Sequence, residues 1–122
     1  MTAPRVLLLI PPLTQLNTPY PSTAYLTGFL QSQGITCEQA DLGIEMVLRL
    51  FSPNGLRDVF RLVRQQEDDL PEQALAMLAD EDAYLSTIET VVTFLQGENP
   101  EAARQLIRPG FLPNGPRFNG KM

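Results

Sequence analysis

A chain of 122 residues has room for one core of ordinary size, and an apolar fraction of 43%, dominated by Leu, suffices to fill it. Nine basic against fourteen acidic residues leave a formal net charge of −5, with no cluster of Lys and Arg, which argues against binding to a phosphate backbone. His and Trp are absent and Cys37 is the sole cysteine, so Cys/His zinc sites, iron–sulfur clusters, Ser-His-Asp triads and Cys-His dyads cannot be assembled within one chain.

Neither GxGxxG nor GxxxxGK[ST] occurs, so two common nucleotide cradles are missing. The apolar run Val6 to Ile10 is far too short to cross a bilayer. The leading MTAPR lacks the longer apolar region of a signal peptide. A single cysteine excludes an intrachain disulfide and fits a reducing compartment. Together these predict a soluble, cytoplasmic protein.

Arg5 to Ile10 reads as a strand. Five consecutive apolar residues without alternation suit a strand covered on both faces, as in a parallel sheet. Pro11-Pro12 ends it, since neither residue can donate to a ladder. The loop Leu13 to Pro21 gathers Thr14, Gln15, Asn17, Thr18 and Tyr20, more length and polarity than a short strand-to-helix turn needs. A helix is predicted from near Pro21, with Tyr25, Leu26, Phe29 and Leu30 at helical spacing and Gly34 as its stop. Ile35 to Asp41 is a second, weaker strand in which Ile35 and Cys37 share a face. Strand, helix and strand within so short a span make a βαβ unit.

From Leu42 the period becomes helical. Ile44, Val47, Leu48 and Phe51 fall at i, i+3, i+4 and i+7; Ser52-Pro53-Asn54-Gly55 interrupts, and Leu56, Val59, Phe60 and Val63 repeat the spacing. After the acidic break Glu67-Asp68-Asp69, Pro71 opens a short helix carrying Ala74, Leu75 and Leu78. Asp80 caps a longer helix with Tyr84, Leu85, Ile88, Val91, Val92 and Leu95 on its buried side. Asn99-Pro100-Glu101 reads as the start of a last helix, ending at Arg108-Pro109-Gly110. The tail from Pro109 holds three prolines and three glycines and reads as extended or disordered.

The expected fold is therefore α/β and helix-rich. An N-terminal βαβ unit, with two parallel strands of an incomplete doubly wound sheet, is followed by four to five mostly amphipathic helices. The expected division is 1–108 for the partial α/β domain with its helical extension and 109–122 for the tail or connector. Two strands make a marginal sheet, so either the chain is a piece of a longer protein or another copy completes the sheet. The latter predicts a homodimer joined through the edge of the first strand.

Among candidate sites the Pro11 to Thr23 loop ranks first, because open α/β sheets bind ligands at the carboxyl ends of their strands. Against this stands the plain reading that its prolines stiffen a connection and its small polar residues satisfy local backbone. Asp41, ending the second strand, stands where a dinucleotide fold keeps its ribose-binding acid. Without the glycine fingerprint a helix N-cap is the better reading. Glu67-Asp68-Asp69 and Asp80-Glu81-Asp82 lack the alternating spacing of a calcium loop, and acids at helix starts are commonplace. No metal site is expected. Cys37, without a basic neighbour in sequence, is expected to be buried and inert, and the Phe and Leu stripes after residue 44 to be core.

The opening RVLLLIPPLTQLNTPYPSTAYLTGFLQSQG resembles the N-terminus of cobalamin-binding-domain radical S-adenosylmethionine (radical SAM) proteins. These begin with a strand ending in PP, a polar loop and a YP…AYL.G.L helix before a short second strand. The matching residues are Pro11, Pro12, Thr14, Asn17, Tyr20, Pro21, Ala24, Tyr25, Leu26, Gly28, Leu30 and Gly34. FLPNGPRF, residues 111–118, looks like a connector of such proteins. The resemblance covers roughly the first forty residues. It implies an accessory cobalamin-binding-like domain whose partner is an absent C-terminal catalytic domain. The iron–sulfur cluster and S-adenosylmethionine would belong to that absent portion, since Cys37 alone cannot supply CxxxCxxC. The chain would then be inactive by itself, with no catalytic residues. Without His it also lacks the DxHxxG ligand to cobalt. By position in the family, Thr14, Gln15, Asn17, Thr18 and Tyr20 would face the corrin. Polar groups would bind its amides and Tyr20 would pack on the ring.

The competing expectation is a helical docking module, for another protein or another domain, with a degenerate, non-binding pocket. The two differ in one observable. A cofactor domain leaves the strand carboxyl ends open, whereas a docking module buries Leu13, Tyr20 and the helix start. A self-contained enzyme ranks last, because no pair of acid–base groups is recognisable.

Overall fold

The computed structural model describes residues 3–66 and 69–115. Its contacts divide the chain into two compact units, Met1–Leu48 and Arg49–Met122.

The first unit is the βαβ motif. Strand β1, Arg5–Ile10, pairs in parallel with β2, Thr36–Asp41, from Arg5↔Thr36 to Ile10↔Asp41. Helix α1, Ser22–Ser32, connects them and packs on both strands. It closes with a Schellman turn: Gly34 takes φ +75°, its N–H donates to Gln31 O at 3.0 Å, and Ile35 N–H donates to Leu30 O at 3.0 Å. The βαβ reading is thus realised, and two of its faces differ from expectation. In β1, Val6, Leu8 and Ile10 are half-buried while Leu7 and Leu9 remain exposed, so this strand is covered on one face only. In α1 the buried residue is Thr27, with Thr23 and Leu30 half-buried beside it. Of the four apolar residues noted at helical spacing, Tyr25, Leu26 and Phe29 are 77%, 49% and 61% exposed. Two contacts select the threonine face: the Cys37 thiol lies 3.8 Å from Thr27 Oγ1, and Gln31 Nε2 donates to Cys37 O at 3.0 Å. Cys37 is buried, as expected.

Helix α2, Leu42–Leu50, follows β2 without a loop. Its buried residue is Gly43, with Met46 and Val47 half-buried, whereas Ile44, Leu48 and Phe51 of the predicted stripe are exposed.

In the second unit, α3 (Pro53–Arg64), α4 (Glu72–Ala79) and α5 (Glu81–Leu95) are followed by a 3₁₀ turn (Pro100–Ala102) and the short α6 (Ala103–Leu106). The expected interruption at residues 52–55 is the start of α3. Ser52 is its N-cap, accepting from Gly55 N–H at 3.0 Å, and Pro53 takes the first-turn place that suits proline. Phe60 on α3 is buried and meets Tyr84 of α5 at a ring-centroid distance of 5.9 Å. Arg64 pairs with Glu81 across the same two helices. Asp80 and Asn99, expected as side-chain caps, make no side-chain capping bond; Asp80 instead receives Ala83 N–H and Tyr84 N–H on its carbonyl. A second Schellman turn, at Gly97, ends α5. Over residues 108–112 the chain turns, with Phe111 N–H on Arg108 O at 3.2 Å, where an extended tail was expected from Pro109. Residues 113–115 have no regular secondary structure, in line with the expectation, and residues 116–122 lie outside the described residues.

Candidate functional site

The parallel register brings Ile10 and Asp41 to the same end of the sheet, so the loop leaving β1 and the first turn of α2 meet at the strand carboxyl ends. Asp41 Oδ1 accepts Ile44 N–H at 3.0 Å. This is the N-cap role anticipated as the alternative to ribose binding. Gly43 fits beneath the loop because it has no side chain: an added Cβ would lie 2.9 Å from Thr14 Oγ1, 3.1 Å from Asp41 Oδ1 and 3.5 Å from Pro11 O. Removing the cap is expected to matter modestly. Asp41→Ala should lower stability by about 1 kcal/mol, read from urea denaturation, with the Asp41→Asn variant recovering most of the loss.

The loop is braced from within. Thr14 Oγ1 donates to Pro11 O at 3.3 Å, Gln15 N–H donates to Tyr20 Oη at 3.3 Å, and Thr18 Oγ1 donates to Asn17 Oδ1 at 3.5 Å. Thr14 is half-buried against Gly43, while Gln15, Asn17, Thr18 and Tyr20 are exposed. All five sequence-selected residues therefore belong to one loop at one end of the sheet, and Thr14 is the one tied to the start of α2. Residues 11–21 carry no charged side chain, so the loop offers hydroxyls, amides and a phenol.

Leu13 is the residue the sequence did not single out for geometry. Its φ is +66°, the one positive φ outside glycine among the described residues, and its side chain is 86% exposed. The left-handed region costs an L-residue with a Cβ about 1–2 kcal/mol. A positive φ just after a turn proline is what a type II turn demands, and Gly or Asn ordinarily supplies it. Pro11-Pro12-Leu13-Thr14 contains neither, so nothing in the sequence marked this conformation.

A second feature lies in the helical unit. Phe51, residues of α3, α4 and α5, and the turn at Leu112-Pro113 line a partly open cavity of about 330 Å³. Its walls include Phe51, Val59, Phe60, Met77 and Ile88, and the only hydroxyls in the lining are those of Tyr84 and Thr87. Thr87 Oγ1 is committed to Ala83 O at 2.7 Å. The cavity thus offers chiefly dispersion contacts, with the Tyr84 phenol the only ionisable side chain in its lining. The stripe of α3 and that of α5 through Val92 face the core as expected. Leu95, expected on the buried side of α5, is 75% exposed because it ends the helix. Periodicity tells which face is apolar and not how closely the faces fit.

Among the described residues no three Cys, Asp or Glu side chains converge as a metal site would require. Glu67 and Asp68 of the acidic break lie outside the described residues, and Glu81 of the other acidic run is engaged by Arg64. No helix among the described residues is long and apolar enough to cross a membrane. The class these features define is a helix-rich α/β protein with a parallel βαβ unit and an uncharged loop at its strand ends. No family model, curated protein or solved structure matches the chain.

Proposed function

We propose that the chain is an accessory cobalamin-binding-like domain of a cytoplasmic radical SAM iron–sulfur protein, catalytically inactive alone, that holds the corrin at the loop after β1. The observation that carries the reading is the openness of that loop: Leu13 is 86% and Tyr20 40% exposed at the strand carboxyl ends, where open α/β sheets take their ligands. The donor set suits the ligand. Thr14, Gln15, Asn17 and Thr18 can exchange hydrogen bonds with the neutral carboxamides of a corrin periphery, and no charge in the loop opposes them. Bound cobalamin would supply the cobalt chemistry. With no His in the chain, the protein itself contributes binding and orientation. The absent catalytic domain would bring the cluster and S-adenosylmethionine, and a second copy could complete the sheet at the edge of β1 that has no partner among the described residues.

Titration of the purified chain with hydroxocobalamin, followed by absorbance and calorimetry, tests the reading. Saturable binding near or below micromolar is expected, and Asn17→Ala should weaken it about three- to tenfold, the worth of one lost polar contact, with Tyr20→Ala weakening it about as much through the lost apolar face of its ring. An unchanged spectrum and no heat would end the proposal.

The alternative, a docking module for another domain or protein with a degenerate pocket, draws on a different observation. Leu7 and Leu9 on the open sheet face, and Tyr25, Leu26 and Phe29 on α1, are apolar and exposed. Exposed apolar side chains on a sheet face and on a helix are what a contact with another domain or protein would cover. The same titration separates the readings, since a docking module would leave hydroxocobalamin unbound.

A further inference from the structure

We infer that Leu13 is a ligand contact: the loop holds it in a left-handed conformation so that its side chain stands free at the strand carboxyl ends and closes over the apolar face of the bound ligand. The inference rests on the proposed cofactor reading and adds to it a residue chosen by geometry alone.

Two independent features of Leu13 are each unfavourable in the free chain. The backbone occupies a region that a Cβ disfavours, at φ +66°, and a four-carbon apolar side chain is 86% exposed to water. Asn or Gly at this place would remove both penalties without altering the turn. Backbone strain that surrounding structure holds in place is characteristic of ligand clamps, and here the bracing is visible. Pro11 and Pro12 fix the entry, Thr14 Oγ1 returns to Pro11 O at 3.3 Å, and Thr14 sits so close over Gly43 that a Cβ added there would stand 2.9 Å from its Oγ1. The backbone at Leu13 is thus flanked by two prolines on one side and by the Thr14 to Pro11 bond on the other, while its side chain is 86% exposed. What remains for it to touch is whatever enters the site.

The flanking chemistry names the class. Thr14 and Gln15 follow Leu13 directly, so one apolar contact stands beside hydroxyl and amide groups with no charge between them. That combination fits a large uncharged ring system with an apolar face and an amide rim, and fits poorly a phosphorylated or carboxylated small molecule.

The experiment compares the whole chain with Leu13→Asn, Leu13→Gly and Leu13→Met, using hydroxocobalamin as probe and thermal melting as the control for folding. Leu13→Asn and Leu13→Gly should melt at or above the temperature of the parent chain, since the strain is relieved. They should bind hydroxocobalamin at least about tenfold more weakly, the worth of one exposed leucine brought out of water. Leu13→Met, which keeps an apolar side chain, should retain affinity within about threefold. Equal affinity of Leu13→Asn and the parent chain would overturn the inference while leaving the cofactor reading intact. A lower melting temperature for Leu13→Asn would also overturn it, because the leucine would then be supporting the fold. Failure of the parent chain to bind at all would remove both.

Discussion

Gly55→Ala is expected to destabilise the helical unit by about 3 kcal/mol, although alanine is the better helix former. The reason is the corner between α2 and α3. An added Cβ would overlap the carbonyl oxygen of Arg49 and stand 2.5 Å from Leu50 O and 2.9 Å from Leu50 C. All three are backbone atoms, so no side chain can swing aside. Relief requires α3 to move off the end of α2, and Ser52 resists that movement. Its hydroxyl donates to Arg49 O at 2.8 Å while accepting Gly55 N–H at 3.0 Å. Displacement would break this double tie, adding the roughly 1 kcal/mol worth of an N-cap to the steric term. The intrinsic preference of a helix for Ala over Gly, about 1 kcal/mol, works the other way and is outweighed. Urea unfolding followed at 222 nm is the measurement; a loss smaller than about 1 kcal/mol would mean that the corner yields easily.

How much of this could be read in advance depends on what each residue signals. β1 was legible to its ends, because a run of apolar residues closed by Pro11-Pro12 has few other readings. Gly34 announced the end of α1 and supplied it through a positive φ. The orientation of α1 was not legible. Tyr25, Leu26, Phe29 and Leu30 form a plausible buried stripe, yet the helix turns Thr27 inward to meet Cys37. Apolar residues occupy more than one face of this helix, so spacing alone could not choose. α2 misled for a related reason. Gly43 is its buried residue, and a glycine contributes nothing to a count of apolar positions.

The site divides along the same line. Thr14, Gln15, Asn17, Thr18 and Tyr20 could be selected because composition marks a polar loop after a strand, and the register then places that loop at the sheet end. Their bonds could not be foreseen. Tyr20 Oη accepts from Gln15 N–H, which braces the loop rather than leaving the phenol oxygen free for a ligand. Leu13 carries no compositional signal at all, since its meaning lies in a backbone angle. Gly55 shows the converse case. Ser52-Pro53-Asn54-Gly55 contains the turn formers that suggest a break, and the same residues are a helix start when serine caps and proline follows.

Phe60→Ala should cost about 3 kcal/mol, at the lower end of what a truncated buried aromatic loses. Phe60 is 5% exposed on the inner face of α3, and its ring is inclined at 47° to that of Tyr84 on α5. Deleting it removes both the buried area and an aromatic pair worth about 1 kcal/mol. Two features hold the loss at the lower end. Phe60 already borders a cavity of about 330 Å³, so part of its surface has no packing partner to lose. The pairing of Arg64 with Glu81 joins α3 to α5 independently of the ring. Leu62 provides the internal control: it lies on the same helix at 56% exposure, and Leu62→Ala should change stability by no more than about 0.5 kcal/mol. Chemical denaturation of both variants at 222 nm, where α3, α4 and α5 dominate the signal, makes the comparison. Equal losses at Phe60 and Leu62 would mean that α3 is not docked through its Phe60 face. A loss confined to Phe60 would tie the stability of this unit to the apolar stripe that begins at Leu56, whatever the loop after β1 binds.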